Sequence, residues 1–201
     1  MVTGVILAAG QAGRMGQPKQ LLSLGGKPMV WHVASTVCQA NFHEVIVITG
    51  AYGDEVTQVL NGLPLRIIYN KQWADGQSTS VKKAIQSVNP KSQAVVFLLA
   101  DQPLVDTVLI NEVIATYQAT KSRIVMPRAQ NRPGNPVLFD LKVWRSALLQ
   151  LSGDEGARQI IRKNQGDIQY IERLNEEMFL DVDTPAEFEI MKKKWQILKD
   201  S

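Results

Sequence analysis

Residues 2–9, Val-Thr-Gly-Val-Ile-Leu-Ala-Ala, form an apolar run that stops at Gly10, and glycine returns at positions 13 and 16. A run this short, apolar throughout and ended by glycine, reads as a strand buried on both faces, the signature of a parallel sheet. Glycine adopts positive φ without penalty, so the loop after the strand can bring successive N–H groups close to an anion. Runs of the same kind recur at residues 45–49, 66–69, 94–100, 123–126 and 178–182, and helix-period segments lie between most of them. In residues 78–88, Val81, Ala84, Ile85 and Val88 follow the i, i+3, i+4, i+7 spacing of one buried helix face, and residues 28–40 behave likewise. Strands alternating with helices predict right-handed crossovers, hence an α/β fold: a mostly parallel sheet in three layers, helices on both faces.

The second half departs from simple alternation. Residues 127–136 are rich in Pro, Gly, Asn and Arg ahead of a short strand at 136–139, which predicts a small inserted lobe. Ser152 and Glu155 have capping-box spacing, with Gly166 as the stop of the helix they would open. Thr184 and Glu187 form a second such box, with Pro185 at the first helical position, so the last helix is expected to start directly from the 178–182 strand. No repeat, low-complexity tract or linker divides the sequence, and one domain over residues 1–201 is expected.

Composition narrows the function classes. Hydrophobic residues make up 45% and charged residues 20% of the 201, which excludes disordered and fibrous chains. Twenty-two basic against 19 acidic residues give a net charge of +3, which suits an anionic ligand but is too mild to imply nucleic acid. A single cysteine, Cys38, excludes an internal disulfide framework and a multi-cysteine zinc site. It lies among small apolar neighbours on a helix and reads as core. No apolar run reaches the roughly 18 residues of a membrane span, so a cytoplasmic protein without membrane contact is expected.

Three motifs can carry chemistry. The first runs from Leu7 through Ala8, Ala9, Gly10, Gly13, Arg14, Met15 and Gly16 to Lys19. Backbone donors, a forked guanidinium and an ammonium together suit a triphosphate. The spacing fits neither a Walker A loop nor the dinucleotide fingerprint, which disfavours a nicotinamide dehydrogenase. The second is Ala100-Asp101-Gln102-Pro103 at the carboxyl end of the most hydrophobic strand, where an acid can hold a hard cation such as Mg²⁺; a helix-capping role is the plain alternative. In the third, Asp181 and Asp183 lie two apart, on one face if the segment is a strand, and repel unless a cation or basic group sits between them; capping of the last helix would also explain them. Gly76-Gln-Ser78-Thr-Ser80 opens a helix as an anion contact surface or an N-cap, while Arg132, Gly134, Asn135 and Arg158 face either a second substrate or solvent. His32 and His43 lack a neighbouring base or nucleophile in sequence and read as structural. Lys192 to Lys194 reads as a solvated helix face, and Trp31, Trp73, Trp144 and Trp195 are too scattered to form a stacking platform.

With these motifs in order across nearly the whole chain, the sequence resembles the nucleotidyltransferases that build NDP-sugars and dinucleotide cofactors. More narrowly, it is similar to the molybdenum cofactor cytidylyltransferase family. The resemblance rests on Leu7-Ala-Ala-Gly10, Arg14-Met-Gly16, Lys19, Thr49-Gly50, Gly76 to Val81, Ala100 to Pro103, Gly134 to Val137, Gly153 to Arg158 and Asp181 to Pro185. It implies a Rossmann-like nucleotidyltransferase fold of the glycosyltransferase-A type, and transfer of CMP from CTP to the phosphate of molybdopterin with release of pyrophosphate. The pair Ala8-Ala9 implies cytidine, because guanylyl members have glycine in place of Ala9. Asn135 stands where some members carry histidine. The resemblance further implies that Arg14, Lys19 and Asp101 are catalytic and that Asp101 and Asp183, or Asp181, hold Mg²⁺ or Mn²⁺. The nucleotide would be bound by residues 7–10, 13–16 and 19 with Thr49, Gly50, Ser78, Ser80, Ala100 and Asp101, and the acceptor by Gln102, Pro103, Arg132, Gly134, Asn135 and Arg158. Its partners would be CTP, molybdopterin and an apo molybdenum hydroxylase. The alternatives are another nucleotidyltransferase, using GTP or a sugar-1-phosphate, and a non-catalytic carrier of the molybdenum cofactor.

Overall fold

The apolar run at the N-terminus is strand β1 (Val2–Ala8), with Val5 and Ile6 fully buried on opposite faces. It lies parallel to β4 (Glu44–Thr49) on one side and β6 (Ala94–Leu99) on the other. The computed structural model describes residues 1–11, 16–174 and 176–200, the last two by backbone alone. Among them the main sheet adds β5 (Arg66–Tyr69), β7 (Ile124–Ala129), β9 (Val137–Asp140) and β10 (Ile168–Arg173), in the order β10-β7-β9-β6-β1-β4-β5. Strand β9 runs antiparallel to both β6 and β7, while the other neighbouring strands on this path are parallel. The sheet is therefore mostly parallel, as the sequence predicts.

Period-2 alternation divides the core into two layers. Val96 and Leu98 of β6 pack with Val33 and Val37 of α1 (Met29–Cys38), Val56 of α2 (Gly53–Val59) and Ile110 and Val113 of α4 (Thr107–Thr120). Val95 and Phe97 point the other way, onto Val81, Ala84 and Ile85 of α3 (Gln77–Ser87), Leu148 of α5 (Leu141–Gln150) and Ile160 of α6 (Arg158–Lys163). A third cluster joins Leu24 of the β2–β3 hairpin (Ser23–Leu24, Lys27–Pro28) to Phe188 and Met191 of α7 (Pro185–Asp200).

Four expectations change. The stretch read as an inserted lobe is built onto the main sheet: β7 continues to Ala129, the two-residue β8 (Arg132–Pro133) pairs back on it, and the chain re-enters the sheet as β9. Residues 178–182 are not a strand, because Glu177–Phe179 is a 3-10 turn and the Phe179 carbonyl accepts from the Gln102 side chain instead of a neighbouring strand. Ser152 and Glu155 do not open a helix; Gly153 and Gly156 take φ of +75° and +53°, and α6 begins only at Arg158. That helix ends at Lys163, before Gly166, where Asn164 donates to the Ile160 carbonyl at 2.8 Å. Strand β10, which the sequence reading missed, is an edge strand with exposed Gln169 and Glu172 and no clean alternation.

The second capping box is present. Glu187 Oε2 accepts from the backbone N–H groups of Asp183 and Thr184 at 2.9 and 2.8 Å, and Thr184 Oγ1 accepts from Glu187 N–H at 3.3 Å. The Asp183 N–H, followed by the Thr184 hydroxyl, holds the Glu187 carboxyl below its ordinary range. A depressed carboxyl contributes stability at pH above its ordinary pKa and loses it as pH falls through the depressed one. Thr184→Ala is expected to cost about 1 kcal/mol; unchanged melting across pH 3–7 would refute the box as a stabilising element.

Candidate active site

Parallel strands leave their carboxyl ends open on one edge, where α/β sheets gather ligands. Here the ends of β1 and β6 deliver Leu7, Ala8, Leu99, Ala100 and Asp101 to a cleft of about 660 Å³. A cavity of this size suits a nucleotide-sized ligand. Its near wall is Ala9, Gly10, Gln11, Lys19 and Gln20, its base includes Asp181 and Asp183, and its far wall is Trp73, Ala74, Gly76, Gln77, Ser80, Asp154 and Arg158.

Charge concentrates at one point. Lys19 Nζ forms ion pairs with Asp101 and with Asp183 Oδ1, the latter at 2.6 Å. The sequence reading asks for a cation or basic group between Asp181 and Asp183; in this structure the Lys19 ammonium bridges Asp183 and Asp101. Three local devices aim it. Gln20, buried beside Lys19 on a 3-10 turn (Lys19–Leu21), donates from Nε2 to the Gly10 carbonyl at 3.2 Å and ties that turn to the β1 loop. Asp101 is fixed by the end of β6, with Ala100, Gln102 and Pro103 buried around it. Asp183 is fixed by the capping box that binds its own N–H.

Electrostatics follow burial. Burial pushes the Asp101 carboxyl above the usual carboxylate range, with Lys19 opposing and Asp181 adding to the rise. Burial also works against the Lys19 charge, but Asp101 and Asp183 outweigh it and hold the ammonium above the ordinary lysine range. The acids thus favour the charged form of Lys19, while burial disfavours and Lys19 favours the charged form of Asp101.

The far wall rests on Asn70, which is buried and hydrogen-bonded on every side. Its Nδ2 donates to Thr79 Oγ1 and Ser80 Oγ at 2.9 and 3.0 Å, its Oδ1 accepts from Gln72 N–H at 3.1 Å, and its N–H donates to the Thr49 carbonyl at 2.9 Å. Gly76, at φ +103°, packs against the Gly153 backbone, and Ser78 N–H donates to the Gly153 carbonyl at 3.1 Å. A Cβ on Gly50 would lie 2.6 Å from the Ala9 carbonyl and 2.6 Å from Trp73 Cβ, so only glycine lets near and far walls meet.

Of the residues singled out for nucleotide or metal, the structure brings Leu7, Ala8, Ala9, Gly10, Lys19, Ser80, Ala100, Asp101, Asp181 and Asp183 to the cleft. Thr49, Gly50 and Ser78 lie behind its walls, and Gly16 is exposed outside it. Gly13, Arg14 and Met15 lie outside the described residues.

The acceptor set divides. Arg158 lines the cleft and, with Asn135, a pocket of about 50 Å³ that shares Leu7, Gln77 and Leu99 with it. Gln102 is buried and acts through others, accepting from Asn135 Nδ2 at 3.1 Å and donating to the Phe179 carbonyl at 3.1 Å. Pro103 is buried, Gly134 is pressed on the Phe179 ring, and Arg132 is exposed and paired with Glu176 at 3.3 Å. Sequence reasoning gave no site role to Asn70 or Trp73, and held Gln77 and Asp154 only as parts of the Gly76 to Val81 and Gly153 to Arg158 motifs. Asn70 follows β5, Gln77 opens α3 and Asp154 lies in the loop before α6, and only the folded chain brings these segments together. His32, His43 and Cys38 stay apart: His32 Nε2 meets the Leu24 carbonyl at 2.6 Å, His43 Nδ1 accepts from Val2 N–H at 3.5 Å, and burial raises the Cys38 thiol above its ordinary range.

No helix among the described residues is long and apolar enough to cross a membrane. The model of the MobA-like NTP transferase domain matches residues 4–168. Nicotine blue oxidoreductase of Paenarthrobacter nicotinovorans is 31% identical over 190 residues, covering 91% of this chain and 92% of that protein. The crystal structure of the Rv0371c homologue from Mycobacterium sp. strain JC1 superposes with a TM-score of 0.87 at 29% identity, covering 98% of each chain. Rv0371c of Mycobacterium tuberculosis, solved in complex with manganese, shares the fold at a TM-score of 0.82 and 24% identity, covering 96% of this chain and 98% of its own. The chain therefore belongs to the family of MobA-like NTP transferase domains and is a nucleotidyltransferase with a Rossmann-like fold.

Proposed function

We propose that the cleft transfers CMP from CTP to the phosphate of molybdopterin, giving the cytosine dinucleotide and pyrophosphate. One observation carries the phosphate chemistry: Lys19 lies between Asp101 and Asp183 at the carboxyl edge of β6. An acceptor phosphate oxygen attacks the α-phosphorus of CTP, the bond to the bridging oxygen of the β-phosphate breaks, and pyrophosphate leaves. Transfer of this kind relies on positioning and charge more than on a protein nucleophile, which accords with the structural roles of Cys38, His32 and His43.

The carboxylates fit a divalent cation such as Mg²⁺ or Mn²⁺. Asp101 and Asp183 already converge on one positive atom and offer hard oxygen donors, with Asp181 lining the same cleft. Among the described residues no group of three or more acids or histidines forms a ready cage, which suits an ion completed by substrate phosphates and water. Such an ion supplies charge neutralisation at the transferring phosphate. Lys19 offsets the charge that grows on the leaving pyrophosphate, and Arg14 is assigned the same task from the sequence. Cytidine is supported by Ala8-Ala9 ahead of Gly10. For the acceptor, support comes from Asn135 and Arg158 on the pocket that adjoins the cleft. The same reading puts the reaction in the cytoplasm, with the product passing to an apo molybdenum hydroxylase.

The relative named nicotine blue oxidoreductase motivates a second reading, in which the same cleft binds a planar redox substrate. One experiment separates the two: pyrophosphate release from CTP, GTP, ATP or UTP with molybdopterin and Mg²⁺ or Mn²⁺, beside NADH or NADPH oxidation with nicotine blue. Selective release with CTP is the expected result. Release that needs a sugar phosphate would overturn the acceptor, and dye reduction without release would favour the redox reading.

A further inference from the structure

The far wall of the cleft carries an aromatic residue that no motif required. Trp73 sits on a 3-10 turn (Trp73–Asp75), half-buried, and lines the cleft beside Ala74 and Gln77. Its Cβ is pressed on Gly50, and the same Gly50 position touches the Ala9 carbonyl, so Trp73 stands next to the backbone that follows β1. Gly50 does not have the positive φ of the loop glycines, so its role here is space and not conformation. The turn is also held in place. Trp73 N–H donates to the Asn70 carbonyl at 3.3 Å, and the single hydrogen of Thr79 Oγ1 is shared between the Gln72 and Gly76 carbonyls, each 2.8 Å away, which fastens both ends of the turn to α3.

The ion-paired cluster of Lys19 with Asp101 and Asp183 suits the phosphates of a nucleotide but offers no flat surface to its base. A nucleobase is a flat ring whose faces gain most from stacking on an aromatic side chain. We propose that Trp73 is the stacking surface for the nucleobase of the bound nucleotide, seated by Gly50 and positioned by Asn70. The inference rests on the nucleotide reading given above and adds the residue that grips the base. Stacking tolerates any base, so Trp73 supplies affinity while discrimination among bases falls to other groups of the cleft.

The test compares CTP with inorganic tripolyphosphate, which has the charge of the nucleotide and no ring. Binding of each would be measured by titration calorimetry with Mg²⁺ for the unaltered protein, Trp73→Leu and Trp73→Phe. Expected are CTP binding about tenfold weaker in Trp73→Leu, or about 1.4 kcal/mol, with Trp73→Phe within about threefold of the unaltered protein, since any aromatic face stacks. Tripolyphosphate binding is expected to be unchanged in both, which also shows that the cleft is intact. CTP should quench tryptophan fluorescence in the unaltered protein, and that change should vanish in Trp73→Phe. Equal CTP affinity in Trp73→Leu, or a parallel loss of CTP and tripolyphosphate in both variants, would overturn the stacking role. Failure of the unaltered protein to bind either ligand would instead overturn the nucleotide reading beneath it.

Discussion

Asp101→Asn is expected to lower nucleotidyl transfer by about 10²- to 10³-fold, the loss typical of one preorganised electrostatic group, with the fold intact. The side chain is 13% exposed, stands at the end of β6, and pairs with Lys19. Asparagine keeps its shape and removes the charge, so the buried surroundings of Ala100, Gln102 and Pro103 stay filled. Because burial already works against the Asp101 carboxylate, losing the charge should leave the melting temperature unchanged or slightly raised. The chemical step is another matter. On the proposed reading, charge at this position holds a cation against the phosphates, and an amide would not replace it. The prediction is checked by steady-state turnover with saturating CTP and acceptor across a range of Mg²⁺ and Mn²⁺ concentrations, alongside circular dichroism. Turnover within tenfold of the unaltered protein would remove Asp101 from the transfer machinery, and recovery at high metal concentration would assign it to cation affinity alone.

How much of this was legible in the sequence depends on whether the signal was local. Strand β1 could be read because a short run that is apolar throughout and stops at glycine has the composition of a strand buried on both faces. Asp101 could be read because it follows the most apolar run in the chain. The capping box at Thr184 was legible for the same reason, since both partners sit within four residues. The identical spacing at Ser152 misled, because Gly153 and Gly156 turn the backbone left-handed and Glu155 pairs with Arg162 instead. Residues 178–182 misled as a short apolar run: Phe179 and Val182 are buried, but against Gly134 and α7, in different clusters. What no local pattern could supply was the far wall. Asn70, Trp73 and Asp154 meet only because β5 and the loop before α6 fold against the start of α3, and Trp73, judged alone, looked like one scattered tryptophan of four.

Lys19→Met is expected to lower turnover by about 10²- to 10³-fold as well, but with the opposite effect on the cation. Methionine keeps much of the aliphatic stem and deletes the ammonium that now bridges Asp101 and Asp183. Without it the two carboxylates lose the ammonium that pairs with both of them, a change that favours any divalent ion able to join them. The Mg²⁺ or Mn²⁺ concentration giving half-maximal activity should therefore fall in Lys19→Met, even as maximal turnover collapses. The two effects have separate origins. On the proposed reading, Lys19 would compete with the ion for the acids in the resting site, and once the nucleotide is bound its charge would be free to meet the pyrophosphate as the bridging bond breaks. A metal requirement that rises instead would mean that Lys19 organises the acids rather than competing for them. Full turnover with an unchanged metal requirement would show that the Lys19 contacts with Asp101 and Asp183 are structural, and that the charge on the leaving group is met elsewhere.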